Sequence, residues 1–458
     1  MFCNLSVGQL VEIITAEPVN LSAQALCSLL TGITTDTRSL KSGNVFLALR
    51  GEKFDGHNFA AAAIAQGAIA VIIERTQASE LPGIPQLLVE DTLKAYQQIA
   101  RWWRDQFSMP VIAVTGSVGK TTTKELIAAV LSTKGNVLKT QANFNNEIGV
   151  PKTLLELGAE HDYAVIEMAM RGPGQIAQLT QVARPTIGLI TNVGTAHIGI
   201  LGSVEAIAQA KCELLAQMPE NSVAIVNQDD RRLMETAAKV WQGQTFTYGL
   251  EAGDFKGQQI GLDKLLVEDV QLPLPLAGSH NALNYLAALA VAKVLAIDLA
   301  PLSQGIEVKM PSGRSQRYDL ANDIIILDET YNAGLESMIA ALELLSQTAG
   351  KRHIAVLGTM KELGECSGEF HQQVGKKVEQ LHLDALLLMI DDPEAAAIAT
   401  TVGAVPVECF SSKEALVQYL QGMLQPGDRI LFKASHSVGL DQVVAQIHHS
   451  ISDSSDLV

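Results

Sequence analysis

The chain has 458 residues, enough for about three domains. Hydrophobic residues make up 47% and charged residues 18%, a globular balance that excludes a disordered chain. The net charge of −16 argues against general binding to nucleic acid or to an anionic membrane, although one local cationic site can still hold a phosphate.

Met1 to Asn20 carries no Lys or Arg ahead of its first apolar residues and does not read as a signal peptide. A polar loop, Thr34-Thr35-Asp36-Thr37-Arg38-Ser39, precedes a predicted strand Val45–Leu49. Asp55-Gly56-His57-Asn58-Phe59 opens an Ala-rich helix ending near Gly67, a strand Ile69–Ile73 follows, and a helix Thr92–Gln106 closes a first unit, residues 1–108. A second unit, residues 109–310, begins with strand Val111–Val114, a Gly-containing loop and helix Thr121–Lys134. Strand Tyr163–Ile166, strand Thr186–Thr191, helix Val204–Met218 and strand Val223–Val226 continue the alternation, which predicts a mainly parallel sheet covered by helices on both faces. The apolar stretch Ala282–Leu299 is interrupted by Asn284, Lys293 and Asp298, so it reads as a buried helix and not a membrane span. A third unit, residues 311–458, repeats the rhythm: strand Ile324–Leu327, helix Glu336–Thr348, strand His353–Leu357, helix Glu369–His382, strand Ala385–Met389 and strand Arg429–Phe432. It has the look of a smaller Rossmann-like domain without the GxGxxG dinucleotide fingerprint. The five cysteines, Cys3, Cys27, Cys212, Cys366 and Cys409, are scattered and include no CxxC pair, as expected for reduced thiols in a cytoplasmic protein.

The sharpest motif is Thr115-Gly116-Ser117-Val118-Gly119-Lys120-Thr121-Thr122, between an apolar strand and an amphipathic helix. Such a turn offers unpaired backbone N–H groups to an anion, glycine permits close approach, Lys120 supplies a point charge for phosphate, and Thr121 supplies a hydroxyl for Mg²⁺. The first Gly of the full phosphate-loop pattern is replaced by Val114, so the loop is a shortened variant. Glu167 ends a strand, where a carboxylate suits Mg²⁺. His197 follows another strand and is a candidate second metal ligand; a lone His is more often structural. Lys211 on its helix reads, by composition alone, as a solvated lysine. Asn143, Asn145 and Asn146 read as turn formers, and Ser279-His280-Asn281 as a helix start. Arg314 at the domain junction could reach a phosphate or make an interdomain ion pair, and Asp328-Glu329-Thr330-Tyr331-Asn332-Ala333 ends the first strand of the third unit, where a ligand site would form.

Taken in this order, these segments resemble the Mur ligase family of bacterial cell-wall synthesis over nearly the whole chain. The phosphate loop is similar to that of the wider ATP-dependent ligase superfamily, and the Thr35–Arg38 loop with Gly51 and Asp55-Gly56-His57 to a uridine-nucleotide-binding first domain. Val165–Ile176, Asp328–Ala333, Val356-Leu357-Gly358 and Glu362-Leu363-Gly364-Glu365 are similar to the members that add D-alanyl-D-alanine. The resemblance implies a three-domain α/β enzyme: a UDP-sugar-binding domain, a central ATP-binding domain and a C-terminal Rossmann-like domain. It implies an ATP-dependent carboxylate–amine ligase that joins D-Ala-D-Ala to UDP-MurNAc-tripeptide through an acyl phosphate. By the same carry-over, Lys120, Glu167, His197 and Lys211 are catalytic, with Lys211 carbamylated. Thr121, Glu167 and His197 hold Mg²⁺, two ions in all, and Gly116–Thr122, Asn281, Arg314 and Asp328 or Glu329 bind ATP. Thr35, Asp36, Thr37 and Arg38 bind the uridine end, Asn143 and Asn146 line the substrate channel, and Tyr331 and Asn332 lie on the dipeptide side. A cytoplasmic monomer without nucleic-acid or membrane partners is expected. The chain departs from the family at Glu329, Thr330, Gly334 and Leu335, at Thr359, and at Lys433-Ala434-Ser435-His436, where Arg is usual in place of His436. The competing readings are a folylpolyglutamate-synthase-like ligase, which lacks the long first domain, and a nucleotide-binding module without ligase chemistry.

Overall fold

A computed structural model describes residues 5–51 and 54–455; Cys3 and the first residues of the N-terminal reading lie outside them. The first sheet contains β1 (Glu17–Val19), β2 (Gly32–Thr34), β3 (Asn44–Leu47), β4 (Ala70–Glu74) and β5 (Gln86–Val89), in the order β1-β5-β4-β3-β2, with β1 antiparallel and the rest parallel. Helix Thr92–Arg104 carries the chain onto the next unit. There Trp103 Nε1 donates to the Leu157 carbonyl at 3.0 Å and Arg104 Nε to that of Ala183 at 3.0 Å, so both polar tips are satisfied across the boundary.

The central sheet has nine strands: β6 (Val111–Thr115), β7 (Val137–Lys139), β8 (Tyr163–Glu167), β9 (Ile187–Ile190), β10 (Val223–Asn227), β11 (Gln244–Gly249), β12 (Phe255–Ile260), β13 (Lys264–Val267) and β14 (Val270–Pro273). Their order is β14-β13-β12-β11-β10-β9-β6-β8-β7. From β7 to β12 the pairing is parallel, and β12, β13 and β14 then form an antiparallel meander that the βα reading did not include. Side chains alternate across β6: Val111 and Ala113 join a core shared with the first domain, while Ile112 and Val114 join the core under helices Lys120–Leu131 and Ser279–Val294. With both faces covered, β6 reads as a continuous apolar run. The expected helix 282–299 starts earlier and stops at Val294, because Ala296 takes φ +56°.

The chain leaves β6 for β7 on one side and, after β8, crosses to β9 on the other. That reversal opens a crevice at the carboxyl ends of β6, β8 and β9. The third sheet, β15 (Gln316–Leu320), β16 (Ile324–Asp328), β17 (Arg352–Leu357), β18 (Ala385–Met389), β19 (Val407–Phe410) and β20 (Asp428–Lys433), runs β15-β16-β20-β17-β18-β19, with only β15 antiparallel. The carboxyl end of β16 faces the crevice, since Glu329, Tyr331 and Asn332 line it together with the phosphate loop.

Candidate active site

The loop after β6 is braced from behind. A Cβ on Gly116 would stand 1.9 Å from Thr191 Oγ1, and one on Gly119, which holds φ +81°, would stand 2.5 Å from Asn284 Oδ1. Ser117 N donates to the Asn192 carbonyl and Val118 N to Asn192 Oδ1, each at 3.0 Å, while Thr191 Oγ1 and Asn192 Nδ2 both donate to the Val118 carbonyl. The amides of Ser117 and Val118 are therefore committed within the protein. The amides of Gly119, Lys120, Thr121 and Thr122, at the start of helix Lys120–Leu131, have no acceptor among the described residues and make the anion-facing row. Lys120 Nζ donates to the carbonyls of Gly116 at 2.8 Å and Ser117 at 3.2 Å. Burial lowers its pKa; Glu167 opposes that shift and Arg314 adds to it.

Glu167, at the end of β8, is buried. Its Oε1 accepts from Asn145 Nδ2 at 2.7 Å and Thr121 Oγ1 at 3.2 Å, whereas its Oε2 has no hydrogen-bond partner. The nearest cation to that bare oxygen is Lys124 Nζ at 3.6 Å. Lys124 is itself fully buried, paired to Glu125 at 2.9 Å and donating to the Thr140 carbonyl at 2.8 Å, while the Thr140 hydroxyl accepts from Glu167 N. A buried carboxylate oxygen without a donor, beside a threonine hydroxyl, fits a hard divalent cation such as Mg²⁺. Among the described residues no three His, Cys, Asp or Glu side chains stand close enough to hold a metal by themselves. Glu167 and Thr121 are thus brought together. His197 lines the same cavity but pairs instead with Glu362, Nδ1 to Oε2 at 2.6 Å.

Lys211 is not the solvated helix lysine that composition favours. It is 1% exposed, and its side chain forms no hydrogen bond or ion pair with a described residue. Burial pushes its pKa well below the usual lysine value and the nearby Lys120 charge pushes the same way, so the amine is held toward its neutral form. Asn281 is buried, with Nδ2 on the Ala277 carbonyl at 2.8 Å, and it lines the cavity beside His280.

Two chambers meet here, of about 490 and 440 Å³. One holds the phosphate loop, Asn281, Glu329 and Lys433; the other holds Thr330, His436 and Asp441. Their shared wall includes Thr121, Asn143, Asn145, Glu167, Arg314 and Tyr331. Arg314 lies 3.9 Å over the Tyr331 ring, and that ring also stacks on His436 at 5.5 Å, so His436 takes part through its ring and not through a guanidinium. Of the two acids ending β16, Asp328 turns inward to accept from the Thr330 amide at 3.0 Å and hydroxyl at 2.6 Å. Burial raises its pKa, and those two hydrogen bonds oppose the rise. Glu329 is the acid on the cavity wall, accepting from Ser315 N and Oγ at 3.2 Å each. Asn332 shares that wall, and its backbone carbonyl accepts from Lys433 Nζ at 2.8 Å.

Asn145 was read only as a turn former, yet it orients Glu167. Asn146 keeps the turn role, its Oδ1 accepting from Gly149 N at 2.9 Å. The Thr35–Arg38 loop lines neither chamber. Within it Asp36 holds the Arg38 guanidinium through Nε at 2.9 Å and Nη2 at 2.7 Å; the Arg38 hydrogen bonds lower the Asp36 pKa to about 2, helped by the charge of Lys152 on the central domain.

The profile of the Mur ligase family catalytic domain matches residues 29–104, that of the Mur ligase middle domain residues 114–292, and that of the Mur ligase glutamate ligase domain residues 313–436. A UDP-N-acetylmuramoyl-tripeptide–D-alanyl-D-alanine ligase from Synechocystis sp. is 60% identical over 415 residues, 91% of each chain, and the enzyme of that name from Escherichia coli K12 is 37% identical over 98% of this chain and 99% of its own. Among solved structures, MurF from Acinetobacter baumannii superposes with a TM-score of 0.87 at 32% identity, covering 97% of this chain and 98% of that one. MurF ligase from Thermotoga maritima in complex with ADP gives 0.83 at 31%, covering 92% and 98%. With profiles of all three domains matched in order and relatives aligned almost end to end, the chain belongs to the Mur ligase family.

Proposed function

We propose that this chain is an ATP-dependent ligase that adds D-Ala-D-Ala to UDP-MurNAc-tripeptide in the cytoplasm, acting as a monomer. The observation that carries the reading is the shared wall of the two chambers. A nucleotide held on the row Gly119–Thr122 and a second ligand in the neighbouring chamber meet at Thr121, Glu167 and Arg314. The substrate names come from the relatives.

The γ-phosphoryl group of ATP passes to the terminal carboxylate of the tripeptide, giving an acyl phosphate and ADP. The dipeptide amine then adds to the acyl carbon, loses a proton, and expels inorganic phosphate as the amide forms. Lys120 and the row of amides hold the phosphoryl oxygens in a fixed array, the main contribution a protein makes to phosphoryl transfer. Thr121 and Glu167 would hold Mg²⁺, oriented by Asn145 and Lys124, with His197 available for a second ion. When bound, the metal supplies charge neutralisation for the transferring group. Arg314 and Glu329 would meet the nucleotide from the C-terminal side, with Asn281 from the central domain. Lys211 is suited to carbamylation: its neutral amine adds to CO₂ with release of one proton, and the resulting anion is available to a metal in the crevice.

Phosphate release from ATP in the presence of UDP-MurNAc-tripeptide, with and without D-Ala-D-Ala, tests the reading. Release that depends on the dipeptide supports it; release indifferent to the dipeptide rules it out.

A further inference from the structure

One short strip, Thr191 to Gly199, is gripped from the C-terminal domain at three points. Glu336 accepts from Thr195 N at 2.7 Å and from Thr195 Oγ1 at 3.1 Å. Glu362 Oε2 meets His197 Nδ1 at 2.6 Å, and the Glu362 carbonyl accepts from Gly199 N at 3.2 Å. Beside that bond the two backbones nearly touch: a Cβ on Gly199 would lie 2.6 Å from Gly364 N, and a Cβ on Gly364, which holds φ +57°, would lie 2.8 Å from Gly199 Cα.

Both members of the side-chain pair sit in left-handed backbone, His197 at φ +66° and Glu362 at φ +64°. That conformation is uncommon for a residue with a long side chain and persists where surrounding contacts over-determine it. Glu362 belongs to the Glu362-Leu363-Gly364-Glu365 segment, for which the sequence offers no role. It lies outside the cavity wall, while His197 lies on it.

We propose that Glu362 is a positioning residue for His197. By accepting from Nδ1 across the domain seam it fixes the ring's orientation and tautomer, and leaves Nε2 as the nitrogen for a ligand in the nucleotide cavity. His197 is thereby readied only when the C-terminal domain is seated. The proposal rests on the reading of this crevice as an ATP–metal ligase site.

The test is a double-mutant cycle on the full chain with Glu362→Ala, His197→Ala and both, read by Mn²⁺ binding in the presence of ADP, followed by electron paramagnetic resonance, and by kcat/KM. Glu362→Ala is expected to weaken Mn²⁺ binding and to lower kcat/KM by about 10- to 100-fold, the usual cost of losing a partner behind a metal-ligating His. Glu362→Gln, whose amide oxygen can still accept from Nδ1, is expected to recover most of both. The double variant is expected to be no worse than His197→Ala alone, because Glu362 acts through His197. Mn²⁺ affinity unchanged in Glu362→Ala, or single effects that multiply in the double variant, would overturn the proposal. If the alanine variant melts early, Glu362→Met, of similar volume and without an acceptor, carries the same comparison. Wild-type phosphate release that ignores the dipeptide would defeat the ligase reading while the Mn²⁺ cycle still decides the role of Glu362.

Discussion

Replacing Gly364 by Ala separates the strength of the domain seam from the stability of the domains. Two costs follow from the structure. An L-residue at φ +57° costs about 1–2 kcal/mol of backbone energy, and that cost is local, so it applies whether or not the domains are in contact. The second cost arises only at the seam, where the new Cβ would stand 2.8 Å from Gly199 Cα, against backbone that has no flexible side chain to yield. Overpacking of this kind typically costs about 1–3 kcal/mol. Charged to the seated arrangement alone, it lowers the population of that arrangement about 5- to 150-fold relative to the separated one. Turnover with all three substrates should fall by up to that factor, while the melting temperature should fall only by the backbone share. Gly368→Ala is the control: it lies in helix Ser367–Gln380, its Cβ would meet no atom within 4 Å, and alanine favours a helix by about 1 kcal/mol over glycine. A Gly364→Ala enzyme that turns over at the wild-type rate would refute the claim that the two backbones must meet for catalysis.

Three further predictions concern single side chains. Lys211→Ala should slow turnover greatly, with partial rescue by a small carboxylic acid that fills the vacated space; full activity without rescue would remove Lys211 from the mechanism. Asn145→Ala deletes a 2.7 Å hydrogen bond to the Glu167 carboxylate, worth about 1.5–3 kcal/mol for a charged acceptor, so kcat/KM measured across a Mg²⁺ titration should drop at least about tenfold. Burial raises the Asp328 pKa above that of an ordinary aspartate. A carboxyl whose folded pKa is raised contributes stability that is complete below the unfolded pKa and is lost as pH rises through the folded one. Asp328→Asn should therefore gain thermal stability relative to wild type as pH rises from about 4 to 8; a difference independent of pH in thermal melts would count against the assignment.

What the sequence made legible was what depends on neighbours in the chain. The strand, the loop of Gly116–Gly119 and the helix beginning at Lys120 are contiguous, so their patterning suffices, and Glu167 declared itself by ending an apolar run. Where the function of a residue depends on distant partners, the pattern was silent or misleading. Helix Val204–Gln217 places Lys211 on a buried face that local composition does not mark, since lysine is normally solvated. Asn145 reaches a carboxylate 22 positions away, and its setting among other asparagines looked like turn chemistry alone. The choice between Asp328 and Glu329 hinged on Thr330, which takes the first acid out of the cavity. The meander β12–β14 escaped because its strands alternate buried with more exposed positions, and its one apolar run, Leu265–Val267, is shorter than those that marked the parallel strands. His197 showed nothing of its partner, which lies 165 residues onward in another domain.

Within the strip from Thr191 to Gly199, Thr191, Asn192 and Gly194 bond to the phosphate loop, and Thr195, His197 and Gly199 are held by the C-terminal domain. A single peptide bond, Gly194 to Thr195, thus separates the nucleotide's cradle from the C-terminal domain's grip. Thermodynamic reciprocity then applies to this enzyme in a specific form. Whatever factor ATP contributes to seating the C-terminal domain, a seated domain returns to ATP affinity in equal measure. An inhibitor that wedges Gly199 from Gly364 would consequently weaken nucleotide binding without touching the nucleotide's own pocket.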